Sequence, residues 1–201
     1  MPRLIGLALL AAACQASTTR PSFRPMPGAV GAQVRLDVPD ATRLLAETLQ
    51  ADSIPVARVV ERDGLVESGW FSVAGRQPFR GRPLGTDVVQ VRGWVDPGKA
   101  GHSVYTVETV YRVMADPSRP DRELERQVTE DHPVAIRVDE SVRKLLYQWG
   151  DPDDIKADSA ALAFRRLQAG AGDSTAARPD TTTTRPDTSR ATPDTAGFQA
   201  R

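Results

Sequence analysis

One cysteine and two histidines stand in a chain of 201 residues. That scarcity excludes a Cys/His zinc cluster and any disulfide framework within one chain. Aromatic residues are few, at 5%. Surplus charge is missing altogether, because 26 basic residues balance 26 acidic ones. A nucleic-acid binder would need a basic excess, so no nucleic-acid partner is expected. No apolar run approaches the roughly 20 residues of a membrane-spanning helix. No Gly-x-Ser-x-Gly elbow, phosphate-cradling glycine loop or His-Glu-x-x-His pair is present. The expectation is a non-enzymatic protein without metal or cofactor.

The N-terminus is the most informative segment. Arg3 carries a positive charge, Leu4–Ala13 is apolar, and the small residues Ala11, Ala12 and Ala13 lead to Cys14. Charge, short apolar core and small residues in that order form a secretory signal, too short to span as a stable helix. The placement of the lone thiol resembles the lipobox of bacterial lipoproteins, although Ala11 stands where that family prefers Leu. The resemblance implies cleavage after residue 13, lipidation of Cys14 with palmitate-type acyl chains, and membrane attachment. Gln15, in place of an Asp, implies the outer membrane, facing the periplasm. The competing reading is cleavage at Ala11/Ala13 and a soluble secreted or periplasmic protein.

Beyond the signal, residues 14–33 are rich in Ser, Thr, Pro and Gly and read as a lipidated flexible tether. Residues 34–150 alternate apolar and charged positions and suffice for one core. A short helix from about Asp154 to Gln168 is read within 151–170. Residues 171–201 repeat Arg-Pro-Asp-Thr at Arg178–Thr181 and Arg185–Thr188, and read as a disordered tail.

Inside the domain, Val38-Pro39-Asp40 opens a helix whose apolar face runs through Ala41, Leu44, Leu45 and Leu49. Asp63-Gly64 between two β-rich runs, 56–62 and 65–73, predicts a hairpin whose two turn residues both take positive φ. Asp87–Val95 and Ser103–Met114 predict two longer strands, the second with Glu108 and Arg112 on the face opposite Tyr105 and Tyr111. Glu123–Thr129 reads as either a fifth strand or a short helical turn. Asp139 is expected to cap a last helix with the stripe Val142, Leu145, Leu146 and Trp149, stopped by Gly150.

The fold expected is α+β: an antiparallel four- or five-stranded sheet with an N-terminal and a C-terminal helix packed on one face, a two-layer sandwich. At the level of topology it looks like helix-grip-type modules of some envelope lipoproteins. Fold does not carry function.

Other polar residues read as bland. His102 and His132 read as surface histidines. Asp151, Asp153, Asp154 and Asp158 lack the glycine and glutamate that a calcium loop places at its sixth and twelfth positions. Arg122, Glu123, Glu125 and Arg126 read as an exposed mixed-charge face. Trp70, Trp94, Tyr105 and Tyr111 are the candidate partner or ligand surface, the alternative being core. The function expected is a lipid-anchored envelope protein that binds a protein partner or supports an envelope assembly. The alternative is a carrier of a small apolar ligand, held in a cavity between sheet and helix.

Overall fold

The structure is a computed structural model that describes Arg20, Ser22 and residues 24–172, with side chains through Arg165. Cys14, the signal segment and the tail from residue 173 lie outside the described residues. The chain divides into two units, 1–160 and 161–201. All strands belong to the first.

Strand β1, Val30–Val34, occupies the end of the stretch expected to be tether. It pairs antiparallel with a later strand, which the Ser/Pro/Gly-rich composition before it concealed. Helix α1, Val38–Ala51, starts as expected, with Pro39 in its first turn and Asp37 as N-cap. Strand β2, Val56–Val60, leads to a single 3-10 turn, Glu61–Asp63, and then to β3, Leu65–Ser68. Only Gly64 takes positive φ there, at 63°, so the two-residue turn with both φ values positive is corrected. The extra turn residues move the reversal back by one 3-10 step.

The expected strand 65–73 is two pieces, β3 and β4, Phe71–Ser72. Both lie along strand β5, Val88–Pro97, with the register slipping by one residue between Glu67↔Arg92 and Phe71↔Val89. That slip is a bulge. Ser68 mends the ladder across it, its hydroxyl accepting from Val91 N–H at 2.7 Å and its carbonyl from the Gln90 amide at 3.0 Å.

Strand β6, Ser103–Arg112, pairs with β5 without interruption from Val89↔Tyr111 to Pro97↔Ser103. The stretch read as either turn or strand is both: helix α2, Asp121–Leu124, runs directly into β7, Glu125–Gln127. β1 and β7 share the remaining edge of β6, β1 at Ser103–Val107 and β7 at Val110–Arg112. The sheet is open and antiparallel, with seven strands in place of four or five, in the order β1-β6-β5-β3-β2.

Helix α3, Pro133–Trp149, begins six residues before Asp139. Its N-cap is His132, whose Nδ1 accepts from Val134 N–H at 3.2 Å. Asp139 lies inside the helix and pairs with Arg143 one turn on, at 2.8 Å. Gly150 ends α3, its N–H returning to the Leu146 carbonyl. Helix α4, Pro152–Gly172, follows.

One apolar core joins Ala41, Leu45 and Leu49 of α1 and Val138, Val142 and Leu145 of α3 to Val34, Val66, Val91, Val95 and Val107 of the sheet. Gly93 marks the closest approach of α1 to β5, since a Cβ there would lie 2.8 Å from the Leu45 side chain. Among the described residues, no helix is long and apolar enough to cross a membrane.

Candidate functional site

The other face of the sheet carries charge. Strand alternation sends Gln90 and Arg92 of β5 away from the helices, and the register sets Arg92 opposite Glu108 of β6. β7 brings Glu125 beside them, and α2 adds Arg122. Glu108 and Glu125 are 0% and 1% exposed.

Arg92 grips Glu125 with both ends of its guanidinium, at 2.7 Å each. It reaches Glu108 at 3.4 Å, Gln90 at 2.6 Å and, through Nε, Glu67 at 3.6 Å. Arg122 holds Glu108 at 2.5 and 3.0 Å and Glu125 at 3.2 Å. Arg58 meets Glu67 at 3.3 Å. Three arginines therefore face three glutamates.

Burial alone would raise the Glu125 carboxyl. The hydrogen bonds and charge of Arg92, and then those of Arg122, outweigh burial and hold it below the ordinary glutamate range. Burial likewise works against the Arg92 cation, and Glu125, Glu108 and Glu67 overcome it and raise its pKa. These carboxylates are saturated with donors, and the arginines keep their protons throughout the ordinary pH range. Such a set fastens elements together.

What it fastens includes the chain ahead of β1. Glu108 Oε2 accepts from Met26 N–H at 2.8 Å, and Arg122 donates to the Arg24 carbonyl at 2.6 Å. Gln127 accepts from Gly28 N–H at 3.0 Å, and Arg20 pairs with Asp96 at 2.7 Å. Residues 24–28, with Arg20 on Asp96, form a strap latched across the charged face.

The four aromatic candidates do not form one surface. Trp94 and Tyr105 are 1% and 0% exposed and belong to the interior, on opposite faces of the sheet. The Tyr105 hydroxyl donates to the Ala41 carbonyl at 3.0 Å, and burial pushes its pKa up. Tyr111 is half-buried against the apolar core. Trp70 lies in the bulge between β3 and β4, with the Arg112 guanidinium 4.9 Å above its ring.

The charged stretch 122–126, expected to be exposed, is corrected at Glu125, which α2 and β7 turn inward. Sequence reading missed Arg92 and Glu108 as partners. The available signal was their shared polar face in two neighbouring strands.

Two carboxylates of the acidic run, Asp151 and Asp158, are paired with cations. Asp151 meets Lys99 and, at 3.3 Å, His102, and the Lys99 hydrogen bond lowers its pKa. Asp158 takes the Tyr147 hydroxyl at 2.8 Å and Arg143 at 3.5 Å. Among the described residues, no group of three or more His, Cys, Asp or Glu is placed to hold a metal ion.

Beneath α3 lie the core side chains Val138, Val142 and Leu145. An open groove of about 300 Å³ runs between α1 and α3, with Glu47, Asp52, Lys144 and Gln148 along it. Ser141 and Lys144 both bond Asp52 across this groove at 2.5 Å. No protein family, curated protein or solved structure matches this chain.

Proposed function

We propose that this protein is a lipid-anchored lipoprotein of the bacterial envelope, non-enzymatic, that binds a protein partner or supports an assembly at the outer membrane. The observation that carries this reading is the order Arg3, Leu4–Ala13, Cys14. Acyl chains on that thiol give durable attachment, since each buried methylene contributes about 0.8 kcal/mol and two or more chains suffice. On this reading the domain is a two-layer module, with α1 and α3 as the helical layer over one face of the sheet.

The strap supports the same reading. The chain coming from Cys14 is gripped at Arg20, Arg24, Met26 and Gly28 before it enters β1. Pull on an anchor would therefore be borne by a buried ion network before it reached the hydrogen-bonded sheet. The ionic cluster reads as the mount of the domain, and its fully paired carboxylates favour a structural role over acid–base chemistry.

Metabolic labelling with radioactive palmitate tests the proposal. The wild-type protein takes up label and fractionates with membranes. Cys14→Ser abolishes the label, and label that survives this substitution overturns the anchor.

A further inference from the structure

The loop between β4 and β5, residues 73–87, carries Arg76, Arg80 and Arg82 against the single acidic residue Asp87. All three arginines are exposed, and none has an ion-pair partner among the described residues. In a chain of zero net charge this is a local cationic surplus. Two apolar side chains stand among them, Phe79 at 38% and Leu84 at 42% exposure.

The loop is firmly built. Ser72 N–H bonds the Gln77 carbonyl at 3.0 Å, Arg76 N–H the Ser72 carbonyl at 2.8 Å, and Phe79 N–H the Trp70 carbonyl at 2.7 Å. Gly85 N–H bonds the Arg112 carbonyl at 2.9 Å, which sets Leu84 beside the end of β6. There Val113 and Met114 are each 50% exposed. Arg76 has φ +51°, a left-handed conformation that favours glycine.

The geometry points to this end of the sheet, the Arg76–Leu84 loop with Val113 and Met114, as a contact for an anionic lipid surface that acts without the acyl chains. Apolar side chains on two adjacent loops, the first carrying Arg76, Arg80 and Arg82 and the second Asp116 and Arg119, suit the boundary between headgroups and acyl chains. These apolar side chains enter the apolar layer while guanidiniums take lipid phosphates in their planar forks. Three arginines over the single Asp87 on this loop complement a surface of anionic headgroups.

This contact lies far from the Arg20 end of the strap. β5 separates the loop from Asp96, where Arg20 docks, by about 30 Å at the usual rise per strand residue. Six residues from Cys14 to Arg20 reach at most about 20 Å. One bilayer meets both only with the strands lying along its plane.

The test uses the full chain carrying Cys14→Ser, so that its failure leaves the anchor reading untouched. Sedimentation with phosphatidylcholine vesicles, with and without phosphatidylglycerol, measures partitioning. Phosphatidylglycerol is expected to raise binding, and that gain falls as salt rises. One arginine at such a surface is worth about fivefold, so R76Q/R80Q/R82Q should bind about a hundredfold more weakly.

R76G should melt no lower than its parent yet bind about fivefold more weakly, which separates lipid contact from a structural role. F79S/L84S should weaken binding while leaving its salt dependence in place. Binding that ignores phosphatidylglycerol, no binding at all, or an unchanged triple variant overturns the proposal. Equal affinity for soluble polyglutamate, with F79S/L84S silent, also overturns it and assigns the loop to an acidic protein.

Discussion

Arg92 decides whether the charged face is a brace or a fault. Its guanidinium satisfies both oxygens of Glu125 and contributes to Glu108, and both carboxylates are almost wholly buried. Removing one partner of a buried pair strands the other, at a cost of about 3–5 kcal/mol. Arg92→Met should lower the urea-unfolding free energy by that amount at neutral pH. Glu125 sets a pH dependence of known sign. Its carboxyl titrates lower in the folded protein than the roughly 4.3 of an unfolded chain. Its contribution is therefore complete above that value and drains as pH falls through the folded pKa. Glu125→Gln should be less stable than wild type at pH 7, and the gap in urea midpoint should narrow below about pH 4. A gap that widens in acid would contradict the assignment. At this scale the sequence was least legible. Alternation puts Glu108 on the same face as Thr106 and Arg112, which reads as solvent-facing. Its burial comes from Arg92, Arg122 and the strap, residues 14 to 82 positions away.

Among the elements, the β2–β3 connection turns on Gly64. It sits at φ +63°, and an added Cβ would lie 2.1 Å from the Val95 carbonyl oxygen. The Gly64 carbonyl in turn accepts from Val95 N–H at 2.8 Å, which stitches the turn to β5. Gly64→Ala should cost at least about 2 kcal/mol, from left-handed strain and the clash together. A thermal melt within error of wild type would refute this account. The glycine was legible because Asp-Gly between β-rich runs marks a reversal. Its exact turn type was not, since the 3-10 step depends on how the turn meets β5. The start of α3 was misplaced for a simpler reason. Pro133 signals a first helical turn just as Pro39 does for α1, but the stripe from Val142 to Trp149 lies nearer Asp139. The strand read over 65–73 broke at a bulge because β-propensity continues through it, while the register slip is visible only against β5.

For the molecule as a whole, the strap is the point where domain and N-terminus become one unit. Met26 contributes to it through its backbone N–H, donated to a fully buried carboxylate. Met26→Pro removes that donor and should destabilise the domain by about 1–3 kcal/mol in urea unfolding. Met26→Ala keeps the N–H and should cost less than Met26→Pro; the reverse order would show that the side chain, and not the latch, matters. The sequence by itself determined the α+β class, helix α1, the central β5–β6 hairpin and the apolar face of α3. Each of these follows from a period of 2 or 3.6 imposed along a few consecutive residues by burial on one side. Only the tertiary structure decided that Val30–Val34 is a strand, that the sheet has seven strands, and that Arg92, Glu108 and Glu125 lie inside it. Those outcomes depend on pairings between segments far apart in the chain, and local periodicity holds no information about which distant segment covers a polar face.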